Sequence, residues 1–235
     1  MITLYGLSSP NVMKIAIALE EMGLAYELVH FDIFQGKQFE KEFARLNPNG
    51  KVPVLIDDEA ASGPIFESCA ILLYLSGKTG LFNPDPLAAS QWLFFQAANI
   101  GPAFGQAMHF LSAAPAGNDY ALSRHLTEVR RLFGVADRRL AESAHLGADD
   151  YSIADMAAFP WVRMHDQYAV DLAGFPNVRR WLTEVGDRDA VASVVERWPA
   201  LKAETLANRA AASADQLDRV YGRGRFGTGG DLVPD

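Results

Sequence analysis

Short apolar runs and helical spacing alternate through the first part of the chain. Ile2–Tyr5 and Tyr26–Phe31 have strand composition, while Val12–Met22 between them places apolar residues three and four apart. This predicts a strand-helix-strand unit. A Gly-Lys break at Gln35–Gln38 then leads into a short helical run at Phe39–Leu46. A proline-led strand at Pro53–Ile56, a turn at Ser62–Pro64 and a helix starting near Glu67 follow. The predicted order β-α-β-α-β-β-α describes a small mixed sheet with helices on its faces. After Gly80 the pattern changes. Phe82-Asn83-Pro84-Asp85-Pro86 reads as a boundary, and beyond it Ala88–Ser112, Tyr120–Ser143, Ser152–Asp166 and Pro176–Val185 carry helical spacing with no alternating strand. The expected organisation is an α/β domain over residues 1–80, a linker over 81–87, an all-helical domain over 88–205 and a C-terminal extension over 206–235. From Tyr221 that extension is glycine-rich and has no packing pattern.

Composition narrows the function. A chain of 235 residues with 49% hydrophobic content can build real cores in two domains. A net charge of −8 argues against a nucleic-acid partner, because neutralising phosphates requires a basic face. A single cysteine excludes an internal disulfide framework and fits a reducing compartment. No leader pattern and no bilayer-length apolar run is read, so a cytoplasmic location is expected. His30, His109, His125, His145 and His165 have no metal-ligand spacing, and no metal is expected.

Three local signals stand out. In Tyr151-Ser152-Ile153-Ala154-Asp155-Met156, Ser152 can cap a helix and Asp155 can return a bond to its N–H, with Tyr151 and Met156 as the flanking apolar pair. Such a box indicates stability and no chemistry. In Ser9-Pro10-Asn11, proline suits a first helical position, so the residues around it sit at a positive helix end. The third signal joins Asn47–Asp57 to Phe66–Leu75. Pro53 cannot donate to a sheet ladder, and a cis Val52–Pro53 bond is expected there. An outward-facing Val52 backbone could pair with an extended peptide, while Glu67 and Ser68 hold that peptide's charged amine and carboxylate.

A front half of this organisation, a Val-Pro turn followed by Glu-Ser at the next helix, and a helical back half with the Ser-Ile-Ala-Asp box together resemble the cytosolic glutathione transferase family. The likeness spans roughly residues 1 to 205. Ser9-Pro10-Asn11, Gly36-Lys37-Gln38-Phe39, Phe66-Glu67-Ser68 and Gly101-Pro102-Ala103-Phe104-Gly105-Gln106 are similar to the bacterial Nu class in particular. The resemblance implies a thioredoxin-like first domain followed by a helical bundle, a homodimer without nucleic-acid or membrane partner, and glutathione as co-substrate. It implies that Glu67 and Ser68 hold the γ-glutamyl end, that Val52, beside Pro53, pairs its backbone with the cysteinyl unit, that Gln38 contacts the glycine end, and that Arg131 reaches the ligand from the helical domain.

A glutathione thiol has an ordinary pKa of about 8.5, and only its thiolate is a good nucleophile. Asn11 and Ser9, beside a helix N-terminus, can donate to that sulfur. Ser9 has a second reading as the helix N-cap, its oxygen taken by backbone N–H groups. Tyr5 and Ser8 are lesser candidates, and Tyr5 reads as core. Cys69, among Ile71, Leu72, Leu73 and Leu75, also reads as core, so any disulfide exchange must use ligand thiols alone. Pro102 should bend its helix, with Phe104, Met108 and His109 beyond it as either core or pocket wall. The leading functional reading is a glutathione-dependent disulfide-bond reductase with modest transferase or peroxidase activity. The alternatives are a detoxifying conjugase and a non-catalytic glutathione-binding regulator.

Overall fold

A computed structural model describes residues 1–61 and 63–226, so the expected turn at Ser62–Pro64 lies partly outside the described residues, and the tail beyond Phe226 wholly so. The chain divides into two compact units, one formed by Met1–Ile71 with the chain from Ser193 onward, the other by Leu72–Ala192.

The first unit opens with strand β1 (Ile2–Gly6), helix α1 (Pro10–Glu21) and strand β2 (Tyr26–His30). β1 and β2 pair in parallel, from Ile2 against Tyr26 to Gly6 against His30, which obliges the intervening chain to cross over as a helix. α1 lies close against the end of β1. A Cβ built at Gly6 would come within 2.5 Å of the Val12 side chain, so only glycine allows this approach. Two 3-10 turns (Ile33–Gln35 and Lys37–Phe39), joined by Gly36 in the left-handed region, lead into α2 (Lys41–Leu46). β3 (Val54–Asp57) and β4 (Ile65–Phe66) complete a sheet of order β2-β1-β3-β4, with β3 antiparallel to both neighbours. α3 (Ser68–Thr79) follows at once. The predicted element order is therefore the observed one. Leu4, Ile15, Ile17, Leu19, Leu55 and Ile71 are fully buried between the sheet and its helices.

The second unit contains α4 (Pro86–Phe95), α5 (Gly101–Ser112), α6 (Asp119–Glu142), α7 (Ile153–Val162) and α8 (Pro176–Gly186). The continuous helix expected over Ala88–Ser112 is interrupted by a π turn at Gln96–Ile100, directly before Gly101-Pro102. A proline ring and its missing N–H disrupt the i to i−4 ladder, and a widened turn is one way to absorb that. Phe104 is core: it stacks on Phe133 with centroids 5.5 Å apart and meets Trp161 and Tyr168 edge-on. The Ser152 box forms as expected. The Ser152 N–H donates to Asp155 Oδ2 at 3.0 Å, and Ala154 N–H donates to Ser152 Oγ at 3.3 Å.

Two helices that the hydrophobic spacing does not delimit close the described chain. α9 (Asp189–Ala211) starts in the second unit and from Ser193 belongs to the first, as does α10 (Ala214–Tyr221).

Candidate active site

Three loops of the first unit meet at one end of its sheet, after β1, after β2 and before β3. At the first, Ser9 takes extended backbone angles and caps α1, its Oγ accepting the Val12 N–H at 3.3 Å, while Pro10 occupies the first helical position. A serine hydroxyl has two acceptor lone pairs and one donor hydrogen. Capping consumes an acceptor, so the two readings of Ser9 do not compete: the O–H remains available to donate toward an anion at the helix end. Asn11 follows as the second residue of α1, half-buried. The Ser9 hydroxyl and the first turn of α1, which carries Asn11, thus lie at the positive end of the helix dipole, where negative charge is favoured. Tyr5 is half-buried within β1, paired with Val29 and Val54.

At the second loop, Asp32 accepts the Phe34 N–H at 2.9 Å and Gly36, with φ of 79°, turns the chain between its two 3-10 segments. Gln38 is only 8% exposed, and its Oε1 has no hydrogen-bond partner. Buried polar atoms are nearly always paired, so such an orphan acceptor asks for a donor from outside the chain.

The third loop is built by Asn47, which donates from Nδ2 to the Lys51 carbonyl at 2.6 Å and accepts the Asn49 N–H at 2.9 Å. Val52–Pro53 is cis, as expected, and the strand proper begins one residue later, at Val54. Neither the N–H nor the C=O of Val52 enters a turn or loop hydrogen bond among the described residues. β3 and β4 pair Val54 with Phe66 and Leu55 with Ile65, and that register carried outward brings Val52-Pro53 alongside Glu67-Ser68. Glu67 is exposed and has φ of 65°, a conformation that costs a non-glycine residue about 1–3 kcal/mol and clusters at functional sites. Its carboxylate accepts from Asn49 Nδ2 at 3.3 Å, and the buried Ser68 opens α3. An exposed carboxylate thus stands beside a helix N-terminus.

One residue of this region went unnoticed in the sequence. Lys14 is 1% exposed within α1, with Nζ 3.9 Å from Cys69 Sγ. Burial lowers its pKa to about 8, opposed by Cys69 and by the Glu67 carboxylate. Burial likewise raises the Cys69 thiol, against the pull of Lys14. The signal was a lysine inside the otherwise apolar run Val12–Leu19.

α9 also reaches this end of the unit. Thr205 Oγ1 accepts the Ser8 N–H at 3.2 Å and lies 3.4 Å from His30 Nε2, so this helix props the loop that carries Ser9. A cleft of about 800 Å³ between α1, β2 and α9 is lined by Leu19, Tyr26, Trp198 and Leu201 and holds none of the loops described.

Arg131 lies in the second unit, on the exposed face of α6, where Nε and Nη2 fork onto Glu128 at 2.8 and 2.7 Å. Within that unit a cleft of about 680 Å³ is lined by Pro102, Gln106, Tyr120, Arg124 and His125. His109 and Met108, further along α5, are half-buried and are not among the residues that line it. Among the described residues no cluster of three or more His, Cys, Asp or Glu could hold a metal, and no helix is long and apolar enough to cross a membrane.

Residues 1–77 match the family described as glutathione S-transferase, N-terminal domain, and residues 101–189 match its C-terminal domain. The disulfide-bond oxidoreductase YfcG of Escherichia coli K12 is 43% identical over 198 residues, which cover 81% of this chain and 92% of that protein. A Burkholderia graminis glutathione transferase crystallised with two glutathione molecules per subunit superposes with a TM-score of 0.75 at 40% identity, over 83% of this chain and 88% of its own. A Pseudomonas putida glutathione transferase with one glutathione disulfide per subunit gives 0.76 at 39% identity, over 83% and 91%. With both family domains matched in order, and a relative this similar along most of its length, the chain belongs to the glutathione S-transferase family.

Proposed function

We propose that this protein is a glutathione-dependent disulfide-bond reductase of the Nu class, with modest transferase or peroxidase activity beside it. Val52 pairs its backbone with the cysteinyl unit, next to Pro53, and Glu67 takes the γ-glutamyl ammonium. Ser68, at the start of α3, takes the γ-glutamyl carboxylate. The sulfur then lies at the N-terminus of α1, where Asn11 and the Ser9 hydroxyl donate to the thiolate and hold the thiol below its ordinary pKa.

That thiolate attacks one sulfur of a small disulfide, forming a mixed disulfide and expelling the other half as a thiolate that takes up a proton. A second glutathione thiolate attacks the mixed disulfide on its glutathione sulfur, giving glutathione disulfide and the second free thiol. Both reducing equivalents come from glutathione. Cys69 contributes none, since it is 9% exposed and its thiol is pushed up by burial. The observation that carries the reading is Glu67 held at φ of 65° with its carboxylate exposed beside the buried Ser68, a strained arrangement that packing does not require. The relatives known as a disulfide-bond oxidoreductase and as a transferase holding glutathione disulfide support the reductase over the conjugase.

Arg131 is a further proposed contact to glutathione, which requires it to exchange Glu128 for a ligand carboxylate. The functional division runs through residues 1–80, 81–87, 88–205 and 206–235. The active form is a cytoplasmic homodimer. Leu87 and Phe94, 74% and 60% exposed and seven residues apart on α4, supply an apolar stripe suited to a partner subunit. The deciding assay compares turnover of 2-hydroxyethyl disulfide with that of a chlorodinitrobenzene-type electrophile in one glutathione buffer. Disulfide turnover is expected to dominate, and faster conjugation overturns the proposal.

A further inference from the structure

We propose that Arg219, on the last described α-helix, completes the peptide site by binding the C-terminal carboxylate of the glycine unit, beside the Gln38 that accepts its amide N–H. The proposal rests on the glutathione reading above and adds to it a residue outside both matched family domains, which end at residue 189.

α10 packs on the first 3-10 turn after β2, where Gln216 Nε2 donates to Gln35 Oε1 at 3.2 Å. Three residues further on, the Arg219 guanidinium lies over the Phe39 ring with Cζ 4.2 Å from its centroid. A Cβ at Gly36 would come within 3.7 Å of its Nη1. Arg219 therefore brackets Gln38 from both sides in sequence. Its Nε is buried without a hydrogen-bond partner, as is the Oε1 of Gln38, itself 8% exposed. Of the arginines that follow it, Arg223 is bonded to Asp218 at 2.6 Å and Arg225 to Asp215 at 2.9 Å.

One orphan is an acceptor and the other a donor. A ligand presenting an N–H and a carboxylate about two bonds apart offers a partner to each. The terminal glycine of γ-Glu-Cys-Gly is such a group. Stacking on Phe39 also fixes the guanidinium plane, which lowers the entropy lost when its fork engages a carboxylate. The C-terminal extension thereby acquires a role in selecting a tripeptide over a dipeptide.

The test is calorimetric titration of the full chain with reduced glutathione and with γ-glutamylcysteine, which lacks the glycine. Wild type and Arg219→Gln are compared, the variant keeping most of the stem against Phe39. The expected result is that the variant binds glutathione about tenfold more weakly, while its affinity for γ-glutamylcysteine stays within twofold. Equal weakening for both ligands, or none for either, overturns the role of Arg219. Should the variant not fold, wild type is titrated with glutathione whose glycine carboxylate is an amide, and undiminished affinity overturns it. Failure of wild type to bind glutathione at all refutes the underlying functional reading instead.

Discussion

Helices α1 and α7 both begin with a serine cap, and the two ends differ in what is left over. At α7, Ser152 is fully buried and bonded to Asp155, whose carboxylate also accepts the Leu146 N–H at 2.9 Å and the Trp181 indole N–H at 2.8 Å. The Leu146, Ser152 and Trp181 donors there all find their acceptor in one carboxylate inside the unit. At α1, Ser9 is half-buried and serves the Val12 N–H, while no acidic residue occupies the first turn to neutralise the helix end. The same local chemistry therefore yields a structural rivet when the network closes on itself and, in the proposed function, an anion site when it stays open.

The sharpest way to break this contrast is to open the closed end. Asp155→Ala leaves the Trp181, Leu146 and Ser152 donors unpaired in a buried place and should destabilise the protein by about 3–5 kcal/mol, read by denaturant titration. Loss below 1 kcal/mol would mean that the network is not what holds α7. The open end should behave oppositely. Asn11→Ala should reduce kcat/KM for disulfide reduction by roughly 10²–10³, the scale for losing one anion-stabilising donor, with little change in melting temperature. Unchanged turnover would remove Asn11 from the chemistry.

A third test concerns the charge beneath the open end. The folded pKa of Lys14, about 8, lies below its ordinary 10.5, so the unfolded chain binds more protons between those values and wild-type stability climbs as pH rises through that window. Lys14→Met should therefore be more stable than wild type at pH 7 by on the order of 2–3 kcal/mol, with the gap closing toward pH 10.5. A pH-independent gap would refute the burial cost. The smallest effect separates capping from donation. Ser9→Gly keeps most of the cap and should cost only a few tenths of a kcal/mol, yet it deletes the hydroxyl and should slow turnover about tenfold. Equal turnover would leave Ser9 a cap alone.

The first eighty residues are legible in the sequence because their elements are short and mostly bounded by glycine or proline. Ile2–Gly6 and Tyr26–His30 needed no tertiary information to be recognised as strands. The three loops that meet at the sheet end were legible for the same reason, since Ser9-Pro10, Val52-Pro53 and Glu67-Ser68 announce themselves through backbone chemistry. α9 was harder to delimit, because Pro199 lies inside it and breaks the spacing that would mark one helix. α10 has eight residues, too few for a periodic signal to rise above its polar surroundings. Nothing local could reveal that this helix comes back to the turn beside Gln38, since that contact joins Gln216 to Gln35 across 181 residues. Lys14 escaped because a lysine within an apolar helix ordinarily extends its charged head to water.

The protein's lone sulfhydryl is walled in by α1 and α3, and this governs how the molecule fares when cells are under chemical attack. Alkylating reagents and peroxide bursts, which silence enzymes built around an accessible thiolate of their own, find no such target at Cys69. In the proposed reaction the working sulfur is that of glutathione, borrowed afresh with each turnover, so damage to it is discarded with the spent peptide.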